Sequence, residues 1–211
     1  RRQLLQLVAH EYLHQWNVRR LRPRELTPYR YDTAVVVPTL WFAEGVTSYF
    51  DQLVPHAAGL TDEADLLADL GADLSRYKAS PGRHVQSLRE SSEEAWVKLY
   101  KPDAYSPGSQ ISYYLKGAVL ALVLVLWLPR QGASLVQVLR QLWQRFGCTA
   151  RGYGEADLLE AFAAASPDLA ALLPRWLEER EDPPLDDLLA DVGLRLEPQP
   201  GTAIWLGWSL E

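Results

Sequence analysis

The chain has 211 residues, of which 48% are apolar and eight are tryptophan, and its formal net charge is -6. This composition supplies enough apolar side chain for the core of one large domain and excludes a disordered chain. The acidic balance argues against nucleic acid as a partner, because binding to the phosphate backbone needs a basic surface.

Apolar residues at helical spacing predict a first helix over residues 3–20. We expect it to end before Pro23, since the residue ahead of a proline avoids the helical region. The arginines at positions 19, 20, 22 and 24 are then interpreted as the cationic end of this helix, opposite the negative pole of its dipole.

The same spacing predicts a mainly α fold along most of the chain. Further helices are expected over residues 39–53, 60–78, 113–128, 134–146, 155–165, 167–180 and 185–191. Thr61 is the predicted N-cap of the helix over 60–78. The longest apolar run, 118–128, is shorter than the about 20 residues that span a bilayer, so it predicts a buried core helix and no membrane span.

The pattern changes after residue 191, where apolar residues alternate at strand spacing with Pro and Gly between them. These residues are Leu194, Leu196, Ile204, Leu206, Trp208 and Leu210. A tail of this length cannot build a sheet alone. We therefore interpret 1–191 as one helical domain and 192–211 as the short β start of another.

The clearest functional pattern is His10-Glu11-Tyr12-Leu13-His14, which matches H-E-x-x-H on a predicted helix. Residues four apart share a helix face, so both imidazoles can bind one zinc ion. The neighbouring glutamate can then serve as general base toward a water that zinc acidifies. The alternative is a pair of histidines that face solvent or are hydrogen-bonded in the core. It is less favoured, because two of the four histidines in the chain occupy the pattern.

A hydrolytic zinc site uses three protein ligands and keeps a fourth position open. Glu44 is the candidate third ligand, because it is the one carboxylate inside the apolar segment 35–50 and would be costly to bury unpaired. The alternative is an exposed acid on an amphipathic helix. Asp51 lies two turns further along roughly the same face, where it either orients a ligand histidine or is a solvated surface acid.

Several longer blocks surround these residues in chain order. They are 10–23, 40–51, 81–83, 86–88, 90–92 and 112–117. Together they resemble the glycyl aminopeptidase family of gluzincin zinc metallopeptidases over most of residues 8–128. The resemblance implies that His10, His14 and Glu44 bind one zinc ion and that Glu11 is the general base.

The block Tyr114-Leu115-Lys116-Gly117 matches a Y-x-K-G motif of the related aminopeptidase-N-like enzymes. Their tyrosine hydrogen-bonds the oxyanion of the tetrahedral intermediate, which makes Tyr114, rather than Tyr113, the candidate here. From the residues alone, a core or surface tyrosine at a helix start is the favoured alternative.

The resemblance also implies an architecture and a reaction. Residues 1–191 would form a helical catalytic domain like the C-terminal half of thermolysin-like peptidases, and 192–211 the start of a PDZ-like domain. The full-length protein would also carry an N-terminal β-rich domain. The expected activity is zinc-dependent removal of N-terminal residues, such as Gly or Ala, from peptide substrates. The alternatives are a zinc endopeptidase, which would cut N-terminally blocked peptides, and a non-catalytic helical scaffold.

Overall fold

The computed structural model describes residues 1–198, and within that range it contains helices and no β-strand. The α-helices are α1 (Arg2–Leu13), α2 (Val46–Ala57), α3 (Glu63–Ala79), α4 (Leu88–Glu93), α5 (Ser106–Ser109), α6 (Tyr113–Trp127), α7 (Leu135–Phe146), α8 (Glu155–Ala165), α9 (Leu169–Glu178) and α10 (Leu185–Asp191). Short 3-10 helices occur at Arg24–Leu26, Pro81–His84 and Leu128–Gln131. A π-helical turn, Trp41–Gly45, leads directly into α2. The prediction of a mainly α fold is confirmed.

Helix α6 forms the centre of the core. Ten of its 15 residues are buried, including the run 116–124. Helices α2, α3 and α10 and the π-turn pack against it, as an all-apolar helix requires. The stretch Ser106–Gln131 has the length and composition of a membrane-crossing helix, but 67% of its apolar window is buried inside the protein. That burial is typical of a core helix.

The π-turn crosses α6 at a pair of glycines. A Cβ on Gly117 would lie 2.7 Å from the carbonyl oxygen of Trp41 and 2.9 Å from Cα of Gly45. A Cβ on Gly45 would lie 2.5 Å from Cα of Gly117. No side chain fits at either position, so the two backbones are in direct contact. This contact fixes the height and rotation of the adjacent Glu44 against the core.

The prediction that the first helix reaches residue 20 was wrong. Helix α1 ends at Leu13, and the chain turns back through residues 14–21 with Val18 at a φ of 90°. The nearby arginines therefore do not form the cationic end of α1. Instead, Arg20 donates to the carbonyl oxygen of Gln15 at 2.5 Å, and Arg22 to that of Arg19 at 2.8 Å.

Smaller differences concern the ends of other helices. The N-cap of α3 is Asp62 rather than Thr61, since the Asp62 carboxylate accepts the backbone N–H of Asp65 at 2.8 Å. Helix α9 begins at Leu169, two residues after the predicted start. The second predicted helix begins with the π-turn Trp41–Gly45, which continues as α2. Residues 192–198 form neither helix nor strand. The rest of the predicted β tail lies outside the described residues, so the division at 191 stays a prediction.

Candidate metal centre

The three predicted metal ligands lie together where α1 meets the π-turn. One nitrogen from each imidazole and one oxygen of the Glu44 carboxylate all lie within 4.8 Å of one another. Oε2 of Glu44 is 3.2 Å from Nε2 of His10 and 3.1 Å from Nε2 of His14. The two imidazole rings meet edge to face, with centroids 4.7 Å apart. Among residues 1–198 this is the one group of histidines, cysteines and acids close enough to hold a metal ion.

Local sequence explains why Glu44 points into this space. The other four residues of the π-turn are buried, and Glu44 is half-buried between them. Burial of Trp41 and Phe42 in the core, together with the glycine contact at Gly45, determines the rotation of the turn. The carboxylate is thereby directed toward α1, which packs along α2.

The second ring nitrogen of each histidine is also held. Nδ1 of His10 lies 2.9 Å from Oδ2 of Asp51, and Nδ1 of His14 lies 3.0 Å from the carbonyl oxygen of Asn17. Because both partners are acceptors, each Nδ1 carries the proton and donates it. Both Nε2 lone pairs then face the same carboxylate oxygen. Three acceptors at this distance require a cation between them, either a proton or a metal ion.

Protons satisfy this requirement when no metal is bound. Burial opposes a charge on His10, but Asp51 and Glu44 outweigh it and raise the pKa of His10 to about 9. Glu44 likewise raises the pKa of His14 against the effect of burial. Burial disfavours the ionised form of Glu44, yet the two histidines lower its pKa to about 2. The carboxylate is therefore ionised at neutral pH, and a divalent ion would bind by displacing the imidazole protons.

Asn17 is a further residue of the site, and the sequence does not single it out. Its Nδ2 lies 3.2 Å from the carbonyl oxygen of Phe42, 3.0 Å from that of Ala43, and 3.1 Å from Oγ1 of Thr47. Its backbone carbonyl holds His14. Asn17 thus joins the turn after α1 to the π-turn that carries Glu44. The sequence indicates this role for an asparagine three residues after a histidine only once α1 is known to end at Leu13, just before that histidine.

The predicted base and oxyanion donor lie beside the ligands. Glu11 is exposed on α1, adjacent to His10. Tyr114 is the second residue of α6, with its ring centroid 6.1 Å from that of His10 and 4.7 Å from that of Tyr113, on which it stacks. Burial, with the nearby charge of Glu44, raises the pKa of Tyr114. Its hydroxyl therefore keeps its proton at neutral pH and can donate a hydrogen bond.

The next residues of the Y-x-K-G block have structural roles. The ammonium group of Lys116 is buried and donates to the carbonyl oxygens of Arg83 at 3.1 Å and Gln86 at 3.4 Å. Burial lowers the pKa of Lys116 to about 8. Gly117 makes the backbone contact with the π-turn. Lys116 and Gly117 therefore fix the position of the first turn of α6, which contains Tyr114.

Two clefts flank the metal centre. A polar cleft of about 570 Å³ is lined by Asp51, Asp69, Asp73 and Tyr114, among others. A second cleft of about 550 Å³ has Glu44 and Tyr114 in its wall and is otherwise mostly aromatic and aliphatic. Tyr114 borders both clefts, together with Asp51 in the first and Glu44 in the second.

Comparison with known proteins identifies the family of this chain. Residues 3–120 match the M61 glycyl aminopeptidase family, and this segment contains both histidines, Glu44 and Tyr114. The chain belongs to that family, so the resemblance drawn from the sequence blocks is confirmed.

One solved structure of similar fold is an aminopeptidase N family protein from Idiomarina loihiensis. It is 37% identical to this chain and superposes with a TM-score of 0.86, over 91% of this chain and 33% of its own. The chain therefore spans about a third of the length of that protein. Comparison with curated proteins gives no match.

Proposed function

We propose that this chain carries the active site of a zinc-dependent aminopeptidase. The observation that supports it is the convergence of two imidazole Nε2 atoms and one carboxylate oxygen at 3.1–3.2 Å, with both Nδ1 protons held by acceptors. Two neutral histidines and one carboxylate form a donor set typical of catalytic zinc, with a position left for solvent. The donor set therefore fits the metal that the family resemblance implies.

The residues would divide the reaction between them. His10, His14 and Glu44 would hold the ion, which when bound polarises the scissile carbonyl and acidifies a water. Glu11 accepts the proton of the attacking water and passes it to the leaving amine. Tyr114, whose raised pKa keeps it protonated, donates to the oxyanion of the tetrahedral intermediate.

The exopeptidase character and the substrate are parts of the same proposal. Membership of a glycyl aminopeptidase family supports removal of a residue with a free amine, and its description supports N-terminal Gly. The proposal extends this to Ala, the next smallest residue. The solved relative is about three times as long as this chain. That length is consistent with a β-rich domain before these residues and a PDZ domain after them in the full-length protein.

Glu11→Gln in the full-length protein tests the proposal. The substitution removes the base but none of the ligands, so zinc content should stay near one ion per chain. Hydrolysis of peptides with a free N-terminal Gly or Ala should fall by about 10²–10⁴-fold. Glu63→Gln, which neutralises an exposed glutamate on α3, is the matched control and should retain activity.

Three outcomes would overturn parts of the proposal. Unchanged turnover in Glu11→Gln would remove the assigned base. Equal cleavage of N-terminally blocked peptides would indicate an endopeptidase. Folded protein that neither binds zinc in calorimetric titration nor hydrolyses peptides would indicate a non-catalytic scaffold.

A further inference from the structure

The second cleft beside the metal centre is called the aromatic cleft below. It is lined by Tyr29, Tyr31, Trp96, Tyr100, Tyr113 and Tyr114. We propose that it binds an aromatic or large aliphatic side chain of the peptide substrate, at the residue that follows the scissile bond. The residue before that bond is the N-terminal Gly or Ala of the proposed function. This inference rests on the proposed function and adds a preference that the family description, which names glycine, does not contain.

The aromatic cleft is continuous with the reacting groups. Glu44, a proposed ligand, and Tyr114, the proposed oxyanion donor, both form part of its wall. A side chain in the cleft therefore lies within one residue of a carbonyl held at the metal centre. The occupant that fits this position is the substrate itself.

Ring contacts connect the surface of the cleft to the metal centre. Trp96 and Tyr100 have centroids 6.4 Å apart, and the hydroxyls of Tyr100 and Tyr113 are 3.2 Å apart. Tyr113 stacks on Tyr114 at 4.7 Å, and Tyr114 lies 6.1 Å from the ring of His10. This row forms one wall that is apolar on its ring faces and offers hydroxyls at its edges. Such a wall can bind an aromatic side chain of the substrate.

The outer rings are exposed although their burial would stabilise the fold. Trp96 is 54% exposed, Tyr100 61% and Tyr31 93%. Each exposed apolar ring forgoes about 25 cal/mol per Å² of possible burial, and a contiguous group of such rings marks a binding surface. A guest side chain would recover that burial.

Two rings of the cleft, Trp96 and Tyr29, are held in position by neighbouring groups. The indole N–H of Trp96 donates to the carbonyl oxygen of Val35 at 3.0 Å. The guanidinium of Arg22 lies over the ring of Tyr29, 4.0 Å from its centroid. Rings that are held before binding lose little conformational freedom when a ligand arrives, so more of the buried area contributes to affinity.

Size and charge favour a large apolar guest over glycine. The volume of about 550 Å³ is within the range of ligand pockets, and a glycine residue has no side chain to fill it. The charged residues in the lining are Arg30 and Glu44, and Glu44 is engaged at the metal centre. Filling an apolar pocket typically changes selectivity by about 10–200-fold.

The test measures binding and turnover separately in the full-length protein. Two free-amine peptides carry N-terminal Gly and differ in having Gly or Phe at the position after the scissile bond. Their dissociation constants are measured by calorimetry on zinc-loaded Glu11→Gln, and their kcat/KM on the unmodified enzyme. The peptide with Phe should bind at least about tenfold more tightly than the peptide with Gly.

Variants then locate the preference. Trp96→Ala should reduce the ratio of Phe to Gly affinity to below about threefold. Tyr105→Ala, which removes an aromatic ring that is 81% exposed and outside the cleft, is the matched control and should leave the ratio unchanged. Circular dichroism and zinc content check that each variant is folded and loaded.

Equal affinities for the Phe and Gly peptides would overturn the inference, and would be the outcome if another segment or a partner fills the cleft. A preference that persists in both Trp96→Ala and Tyr100→Ala would also overturn it. Absence of hydrolysis with the affinity ratio intact would count against the proposed aminopeptidase activity and not against the cleft. The first arm needs no cleft variant, so a failure of Trp96→Ala to fold would still leave a decisive result.

Discussion

Replacing Asn17 by alanine should uncouple the turn after α1 from the π-turn. Nδ2 of Asn17 carries two hydrogens, so it satisfies two of its three neighbouring acceptors at a time. Each such bond contributes about 1 kcal/mol net. The Ala43 carbonyl would keep the hydroxyl of Thr47 at 2.7 Å as a donor, whereas the Phe42 carbonyl would lose its side-chain donor.

An unsatisfied buried carbonyl adds about 1–3 kcal/mol of cost. Oδ1 of Asn17 is itself buried without a partner among the described residues, and its removal offsets part of that cost. We therefore expect Asn17→Ala to lower the free energy of unfolding of the metal-free protein by about 2 kcal/mol. For a domain of this size the melting temperature should fall by about 4–8 °C.

Measuring zinc affinity distinguishes a role at the metal site from a purely structural role, which would leave zinc affinity unchanged. Loosening the residue that holds Nδ1 of His14 should weaken zinc binding about 10–100-fold, measured by competition with a chelator. Gln15→Ala is the matched control, since it removes an amide from the same turn whose bond to Arg19 is exposed. If both variants unfold at the same urea concentration and bind zinc equally, Asn17 does not join the two elements.

Two further predictions concern the core around α6. Gly117→Ala should lower stability by about 1–3 kcal/mol in urea unfolding, because its Cβ would meet backbone atoms at 2.7–2.9 Å. Gly71→Ala, in the open on α3, should be neutral or stabilising by up to about 1 kcal/mol, and equal effects would refute the contact argument. For Lys116, burial lowers the pKa from 10.5 to about 8, so the unfolded chain holds more protons between these values and stability should rise with pH there. This rise, at most about 3 kcal/mol, should be absent from Lys116→Met, and identical pH profiles of unfolding for the two proteins would contradict it.

Sequence reasoning predicted the three side chains that the structure brings together, because each of these candidate ligands lies in a strong local pattern. His10 and His14 are one helical turn apart, and Glu44 is an isolated acid among apolar residues. The central helix α6 was predictable for a similar reason, since an unbroken apolar run must be buried. Asp51 was found through helix periodicity, and the structure places it 2.9 Å from His10.

The features that escaped prediction depend on contacts between distant segments. The turn that follows α1 includes a positive φ at Val18, a conformation that a valine in the sequence does not predict. The role of Asn17 follows from that turn. The aromatic cleft joins residues from three separate stretches, Tyr29 and Tyr31, Trp96 and Tyr100, and Tyr113 and Tyr114, whose spacing along the chain carries no common signal.

The π-turn makes the length of segment 41–45 as important as its composition. A π-turn is an α-helical turn with one residue inserted, and successive residues of a helix are about 100° apart around its axis. Deleting Ala43 would let the segment close as a regular α-turn and would rotate the carboxylate of Glu44 away from the histidines. Relatives that retain this candidate metal centre should therefore align across residues 41–45 without a gap, whereas the exposed loop 101–105 is free to vary in length.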